Sequence, residues 1–345
     1  MDKPAHQSET EDRRSAMLRT AFCSVVREAL EAPDTIEIMA NPDGSVWIEK
    51  AGIGLIISEH TLPSSDRERV IRLVASGVGV AANRTSPIIS AELPGSGERF
   101  EGLLPPVSTA PCFSIRKPAT TPFELGDYVT QGALAPALAQ ALKDAIATHA
   151  NILIAGGTSS GKTTFTNALL AEPSLHDDRI VILEDTRELR CAAPNVVQLR
   201  THRGSTSLQD LVRSTLRLRP DRIIIGEVRG AEALDMLKAW NTGHPGGIAT
   251  LHANSALGGL SRLEQLIGET SAQVPHDLIA ETIDCVVYIS RRAGRHRVET
   301  VSRMNGLGRG GYDLSPVQPD LQLVLPSLPF SEPLLSTAPE RTPPQ

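Results

Sequence analysis

The sequence ANILIAGGTSSGKTT, residues 150–164, determines the fold of the second half of the chain. The apolar run at residues 152–155 predicts a buried β-strand. Residues 156–163 match the pattern G-x-x-x-x-G-K-[ST] of a phosphate-binding loop. A helical pattern follows, so that the positive end of a helix would face a bound anion. The order of strand, loop and helix therefore predicts a site for a nucleoside triphosphate.

The residue types in this loop suit phosphate chemistry. Glycine lets backbone N–H groups converge on a phosphate without a Cβ in the way. The Lys162 ammonium would bind the β and γ phosphates, and the Thr163 hydroxyl would bind Mg²⁺. The predicted nucleotide-binding residues are Gly156, Gly157, Thr158, Ser159, Ser160, Gly161, Lys162, Thr163 and Thr164.

Further apolar runs of strand length follow, separated by helical patterns. Continuous β-branched runs are typical of strands that are buried on both faces of a largely parallel sheet. Ser207 and Asp210 predict the capping box of one intervening helix. We therefore predict an α/β P-loop domain with a mostly parallel sheet over residues 137–314. Its strands are predicted in ANILIAG, RIVILED, NVVQLR, RIIIGEV, GIATLH and DCVVYIS.

The first part of the chain predicts a smaller α+β domain over residues 1–118. Apolar residues at three- and four-residue steps from Leu18 to Leu30 predict a helix. Alternating residues on both sides of NPDG, residues 41–44, predict a hairpin. A short helix near residues 66–74 and a strand pair flanking residues 93–99 complete this domain. The first dozen or so residues have the composition of a disordered segment.

Proline and glycine divide the chain further. Pro118, Pro122 and Pro136, together with two glycines between them, predict a linker over residues 119–136. Residues 315–345 are rich in proline and predict a disordered tail.

The composition excludes several classes of protein. The net charge of −6 disfavours a protein that coats nucleic acid, and 3% aromatic residues disfavour a base-stacking surface. We therefore expect no sequence-specific binding of nucleic acid. The four cysteines are far apart, which predicts reduced thiols and neither a zinc site nor disulfides. No apolar run reaches the roughly 18 residues of a membrane span, so any membrane contact would be peripheral.

Two predicted strands end in carboxylates. RIVILEDTRELR presents Glu184, Asp185 and Glu188, and RIIIGEVRG presents Glu227. Because ligands bind beyond the carboxyl ends of parallel strands, Glu184 and Glu227 should face the phosphates and hold Mg²⁺, directly or through water. The alternatives are structural, with Glu227 in a salt bridge and Asp185 and Glu188 capping the next turn.

The segment TGHPGGIATLHANS contains two candidate histidines. His244 lies in a glycine-rich turn, and His252 directly follows a predicted strand. A neutral His252 could sense the γ-phosphate. A purely structural role is the alternative for both residues.

Arginine could stabilise charge on transferring phosphate. Arg116 precedes the predicted linker, whereas Arg213, Arg217, Arg219 and Arg229 flank the strand that leads to Glu227. Spacing alone does not select among these arginines.

Four segments resemble motifs of the secretion ATPase superfamily, in that family's order. GGTSSGKTT, VILEDTRELR, LRLRPDRIIIGEVRG and GHPGGIATLHANS are similar to its Walker A, Asp-box, atypical Walker B and His-box segments. ERFEGLLPPV and FSIRKP are most similar to the conjugal-transfer and type IV secretion branch. The resemblance implies a RecA-like domain that hydrolyses ATP with Mg²⁺ to ADP and phosphate.

The resemblance also implies roles for matching residues. Lys162 would bind phosphate, and Glu227 would orient or deprotonate the attacking water. Glu184 would lie near the metal, and His252 would link nucleotide state to motion. Arg116 would approach the phosphates when the two domains close. These five residues form the predicted catalytic set.

A homo-oligomeric, hexameric ring at the cytoplasmic face of the inner membrane is implied as well. The ring would associate peripherally with inner-membrane components of a conjugation or type IV secretion apparatus, and would power pilus assembly or substrate translocation. A type IV pilus or type II secretion motor is one alternative, since it shares every catalytic segment. A slowly hydrolysing, nucleotide-switched scaffold or coupling protein is another. The acidic balance disfavours a DNA helicase.

Overall fold

A computed structural model describes residues 17–93, 96–118, 123–202, 204–292 and 295–317. In this part of the chain, two β-sheets carry helices on their faces. None of the helices in the described ranges has the length and apolarity needed to cross a bilayer. The dozen amino-terminal residues predicted to be disordered, and the tail beyond Val317, lie outside the described residues.

The first sheet has six antiparallel strands in the order β3-β2-β1-β6-β5-β4. Two helices, α1 (Ser24–Glu31) and α2 (Ser64–Gly77), share an aliphatic core with it. The strands are β1 (Thr35–Ala40), β2 (Ser45–Lys50), β3 (Gly54–Thr61), β4 (Ile88–Glu92), β5 (Arg99–Leu103) and β6 (Cys112–Arg116).

Most of the expectations for this part of the chain are confirmed. The hairpin of β1 and β2 turns at residues 41–44, where Gly44 has a φ of 92° that favours glycine. The strand pair flanking residues 93–99 is β4 and β5. The helix expected from Leu18 to Leu30 is interrupted, because residues 17–21 are helical and α1 begins only at Ser24. One core buries Leu18, Phe22 and Val26. The apolar spacing from Leu18 to Leu30 therefore indicated correctly which residues are buried, but it did not indicate the break in the helix.

The segment predicted as a linker, residues 119–136, is not irregular throughout, because it contains helix α3 (Leu125–Thr130). Glu124 and Asp127 form its capping box, and Leu125 and Tyr128 are buried against the core of the second sheet. Proline and glycine indicated breaks in regular structure correctly. These residue types did not predict the short helix between the breaks. That helix is stabilised by the burial of Leu125 and Tyr128 against the core of the second sheet.

The second sheet has eight strands in the order β14-β13-β12-β7-β11-β10-β8-β9. Neighbours from β9 to β12 are parallel, whereas β12, β13 and β14 pair antiparallel. The strands are β7 (Ile152–Gly156), β8 (Ile180–Glu184), β9 (Val196–Arg200), β10 (Arg222–Ile225), β11 (Ile248–His252), β12 (Cys285–Arg292), β13 (Arg295–Gly308) and β14 (Gly311–Pro316). All six predicted strands are therefore present. Strand β14 extends past residue 315, where the tail was predicted to begin.

Helices cover both faces of this sheet, and the fold is mixed α/β. They are α4 (Pro136–Ala147), α5 (Lys162–Leu170), α6 (Leu208–Thr215), α7 (Glu232–Asn241), α8 (Ala256–Gly268) and α9 (His276–Thr282). The capping box of Ser207 and Asp210 at α6 is confirmed. Strands β7 and β8 are buried along their whole length between two aliphatic cores. Because β7, β8, β10 and β11 are parallel, their carboxyl ends meet at one edge of the sheet.

Candidate nucleotide-binding site

The loop between β7 and α5 is closely packed at its beginning. A Cβ on Gly156 would lie 2.5 Å from Oγ of Ser160 and 2.6 Å from the carbonyl oxygen of Ile289, so only glycine fits there. Ser160 is buried, and its hydroxyl has no hydrogen-bond partner among the described residues. At the other end Gly161 precedes α5 with a φ of 92°, a conformation that favours glycine.

Lys162, the first residue of α5, curls back toward the start of the loop. Its Nζ donates to the carbonyl oxygens of Gly156 at 2.9 Å and Gly157 at 3.0 Å. Burial lowers the pKa of the Lys162 ammonium, and Glu227 opposes that effect by its negative charge. These carbonyls hold the ammonium where a polyphosphate would be cradled.

A cleft of about 270 Å³ opens beside the loop. It is bounded by the loop, by the carboxyl ends of the parallel strands and by two arginines of the first sheet. The predicted residues that line it are Arg116, Thr158, Ser159, Ser160, Gly161, Lys162, Thr163, Thr164, Glu184, Glu227 and His252. Gly156 and Gly157 do not line it, although their carbonyls bind Lys162. The structure thus brings all five residues of the predicted catalytic set to one cleft.

Glu227, His252 and Lys162 form a connected row. Oε1 of Glu227 lies 2.7 Å from Nε2 of His252, and Nδ1 of the same ring lies 3.3 Å from the Lys162 ammonium. The other carboxylate oxygen of Glu227 pairs with Arg229. Burial and the charge of Lys162 lower the pKa of His252. The two contacts place the ring hydrogen on Nε2, because the Glu227 carboxylate accepts a hydrogen bond and the Lys162 ammonium only donates one.

Glu184, the last residue of β8, is buried with 4% of its surface exposed. Oε1 accepts backbone N–H bonds from Glu188 at 2.9 Å and Leu189 at 2.8 Å, while Oε2 has no partner among the described residues. Desolvation raises the pKa of Glu184 to about 7, against the lowering effect of the two N–H bonds. Glu184 thus lines the cleft with one carboxylate oxygen that has no partner among the described residues.

The donors available for Mg²⁺ are oxygen atoms, which that ion prefers. Thr163 lines the cleft, and none of the described hydrogen bonds uses its hydroxyl. Together with Oε2 of Glu184, the hydroxyl fits an ion that takes its remaining ligands from phosphate and water. The described residues contain no cluster of three or more His, Cys, Asp or Glu side chains that would hold a metal alone.

Arg116 reaches the cleft from the last position of β6 in the first sheet. Its side chain is exposed, and its charge helps to lower the pKa of Lys162. The register partner of Arg116 is Arg99 of β5, which also lines the cleft and lies 3.5 Å from Glu188. Two guanidinium groups of the first sheet therefore face the phosphate-binding loop of the second.

The other predicted candidates separate in space. Arg229 pairs with Glu227 and with Asp185 at 3.4 Å, so it belongs to the cleft. Arg213 pairs instead with Asp235 on α7, and Arg217 and Arg219 do not line the cleft. His244 lies outside the cleft as well, with Nδ1 2.8 Å from the carbonyl oxygen of Pro220. This position of His244 fits the purely structural role that was its alternative.

The four cysteines are free thiols.

Arg99 and Thr250 were missed by the reasoning from sequence. Oγ1 of Thr250 donates to the carbonyl of Gly226 at 2.6 Å and so fixes the turn that carries Glu227. Its place near the end of β11, two residues before His252, was a usable signal. Arg99 lies in ERFEGLLPPV, a segment that contributed to the resemblance but implied no site residue, and only the pairing of β5 with β6 brings it to the site.

The chain is similar to several known proteins. Residues 61–306 match the model of the Type II/IV secretion system protein family. The conjugal transfer protein TrbB of Rhizobium radiobacter is 48% identical over 286 residues, which cover 82% of this chain and 88% of that protein. The type IV secretion system protein VirB11 of Bartonella henselae is 30% identical over 318 residues, which cover 79% and 89%. The ATPase DotB of Legionella pneumophila has a similar solved structure, with a TM-score of 0.56, 20% identity and coverage of 86% and 81%. The likeness to DotB shows the fold alone.

Proposed function

Since the chain belongs to the Type II/IV secretion system protein family, we propose that it is a Mg²⁺-dependent ATPase that powers conjugal transfer or type IV secretion. This membership confirms the resemblance seen in the four sequence segments. The observation that carries the proposal is the convergence of Lys162, Glu184, Glu227 and His252 beside one phosphate-binding loop.

The proposed reaction is in-line attack of water on the γ-phosphate of ATP, which releases ADP and phosphate. Lys162 would leave the loop carbonyls for the β and γ phosphates, since an anion is a stronger acceptor than a carbonyl. Charge that develops on the transferring group would then meet a positive group already in place.

Glu227 is the proposed base that orients and deprotonates the attacking water. Its bonds to His252 and Arg229 fix the carboxylate at the cleft. Once Lys162 turns to the phosphates, Nδ1 of His252 loses its donor. Nucleotide binding would thus change the hydrogen bonding of His252, and through the bond at Nε2 this change would reach Glu227.

Thr163 and Glu184 are the proposed holders of Mg²⁺, with Thr163 in direct contact and Glu184 in contact directly or through water. When bound, the ion would neutralise charge on the phosphate oxygens. Arg116 is the proposed arginine that approaches the γ-phosphate when the first sheet closes over the loop. Its guanidinium is exposed and has no ion-pair partner in the part of the chain that the structure describes, which is consistent with such movement.

We further propose a RecA-like ATPase domain over residues 137–314, preceded by an α+β domain over residues 1–118. The cleft between the two sheets supports this division, because Arg116 enters it from one and Lys162 from the other. The proposed assembly is a homo-hexamer at the cytoplasmic face of the inner membrane. It would bind peripherally to membrane components of a secretion apparatus.

Steady-state turnover tests this function. Purified protein should hydrolyse ATP only with Mg²⁺, and the rate per chain should rise with protein concentration as the ring assembles. Its size, measured with and without a nonhydrolysable ATP analogue, should correspond to a hexamer in at least one state.

Two results would redirect the proposal. Tight ATP binding with negligible turnover at every concentration would indicate a nucleotide-switched scaffold or coupling protein. Normal turnover, but capture of pilus or type II secretion components in a pulldown, would indicate a motor of those systems.

A further inference from the structure

The hairpin of β12 and β13 forms one wall of the phosphate-binding loop. Ile289 of β12 is the register partner of Gly156, at the start of the loop. His296 of β13 reaches the other end, where Nδ1 of its ring would lie 2.9 Å from a Cβ on Gly161. None of the roles proposed above uses this hairpin.

His296 makes a directional contact with the loop. Its Nδ1 lies 2.8 Å from the carbonyl oxygen of Ser160. Because a carbonyl oxygen only accepts, Nδ1 carries the hydrogen and donates it. The C=O and N–H of a trans peptide point in opposite directions, so this bond turns the Gly161 N–H away from the hairpin. That N–H takes part in none of the described hydrogen bonds, and Gly161 lines the cleft.

The loop needs a restraint at this peptide. Ser159 and Gly161 both have a positive φ, at 54° and 92°. Gly161 lacks the Cβ that would limit rotation of its backbone. An amide that must meet an anion binds it more tightly when its orientation is fixed beforehand, because less ordering is needed on binding.

Contacts close to His296 hold this part of the hairpin in place. The register partner of His296 is Arg291, whose guanidinium lies 3.3 Å from the carboxylate of Glu49 in the first sheet. On β12, Oγ of Ser290 donates to Glu299 of β13 at 2.6 Å. Strand β12 therefore contacts both the first sheet, through Arg291, and the start of the phosphate-binding loop, through Ile289, while β13 contacts the other end of the loop through His296.

We propose that His296 is a positioning residue for the nucleotide. Its Nδ1–H holds the Ser160–Gly161 peptide in the orientation that presents the Gly161 N–H to a phosphate oxygen. The proposal rests on the proposed function, since it requires a nucleotide in this cleft.

Matched substitutions at His296 test the hydrogen bond. His296→Asn keeps an N–H at the position of Nδ1, whereas His296→Gln moves the N–H one atom further out. His296→Phe keeps a ring over Gly161 without a donor. His60→Phe, at an exposed position of β3, is the control. Equilibrium binding of Mg²⁺ with a nonhydrolysable ATP analogue, together with kcat and KM for ATP, is measured for each protein.

We expect the Gln and Phe variants to raise Kd for the analogue about fivefold, the change that loss of one neutral hydrogen bond commonly causes. KM should rise with Kd, and kcat should stay within about twofold. His296→Asn and the control should bind like the wild type. Binding by His296→Gln or His296→Phe as tight as that of the wild type would overturn the proposal. If His296→Asn bound the analogue as weakly as His296→Phe, the proposal would be overturned as well.

A second comparison and a parallel variant allow the experiment to reject the role of His296 even if one variant fails to fold. If His296→Phe does not fold, the comparison of Asn with Gln still tests the position of the donor. Binding by Lys162→Ala is measured in parallel. Equal binding by wild type and Lys162→Ala would reject the nucleotide site itself. Weaker binding by Lys162→Ala, with unchanged binding by His296→Gln, would reject only the role of His296.

Discussion

Oε1 of Glu227 accepts a hydrogen bond from Nε2 of His252 across 2.7 Å. The opposite ring nitrogen of His252 lies 3.3 Å from the Lys162 ammonium, which can only donate. One imidazole thus connects the cation of the phosphate-binding loop to the proposed base. A ligand that drew Lys162 away would therefore remove one of the two partners of the His252 ring.

Glu227→Gln should lower turnover at least 100-fold while ATP still binds, because an amide cannot take a proton from water. The variant should retain unhydrolysed ATP after rapid gel filtration. Glu269→Gln, at an exposed position after α8, is a matched control and should behave like the wild type. Turnover by Glu227→Gln at the wild-type rate would move the role of base to Glu184.

Lys162→Ala should abolish detectable turnover and weaken nucleotide binding by about 100-fold. The variant lacks the cation that meets the phosphates, and such groups commonly contribute 10²–10³ in rate. Lys238→Ala removes an exposed lysine near the end of α7 and should leave binding unchanged. A Lys162→Ala protein that bound ATP normally would contradict the phosphate-cradle assignment.

Arg116→Ala should lower kcat by about 10³-fold and change nucleotide affinity much less, because its guanidinium would act mainly on charge that forms during transfer. Thermal stability should not change, since the side chain is exposed and makes no hydrogen bond or ion pair within the described residues. Arg69→Ala, exposed on α2, is the control. If Arg99→Ala lost activity and Arg116→Ala did not, Arg99 would be the arginine that stabilises the transferring phosphate.

Gly226→Ala should lower kcat about tenfold indirectly, by displacing the side chain of Glu184. A Cβ at this position would lie 3.0 Å from Cγ of Glu184 and would displace that carboxylate. Such overpacking should also lower the free energy of unfolding by about 1–2 kcal/mol. Gly126→Ala, in α3, adds a Cβ with no atom within 4 Å and should not lower stability. Full activity of Gly226→Ala would show that the position of Glu184 is unimportant.

The stability of the ligand-free protein should depend on pH through Glu184. Its pKa is raised from 4.5 to about 7, so the folded protein binds a proton more readily than the unfolded chain does. The stabilisation is therefore fully present below about pH 4.5 and is lost as pH rises through 7. By 1.36 kcal/mol for each pKa unit, the difference is on the order of 3 kcal/mol.

Chemical unfolding of wild type and Glu184→Gln between pH 5 and 8 measures this effect, because the two proteins share every other titrating group and differ only in the carboxyl at position 184. Relative to Glu184→Gln, the wild type should lose stability as pH rises. A difference that stays constant with pH would contradict the raised pKa of Glu184.

Local chemistry made much of this protein predictable from sequence. Strands β7, β8 and β10 are continuous apolar runs, which are typical of strands buried on both faces of a parallel sheet. The loop before Lys162 is recognisable because phosphate binding restricts it to glycine and small residues. Glu184, Glu227 and His252 follow strands, and parallel strands bring their carboxyl ends to one edge. Family membership followed from the same segments.

Tertiary structure alone decided the remaining features. Arg99 and Arg116 are 17 positions apart by number and become neighbours only through the pairing of β5 with β6. His296 lies more than 130 residues from Ser160, yet the hairpin brings it to the loop carbonyl. The lowered pKa of His252 and the raised pKa of Glu184 depend on burial and on partners from distant segments. The sequence thus determines which groups each strand end presents, whereas packing determines which of them meet and how they ionise.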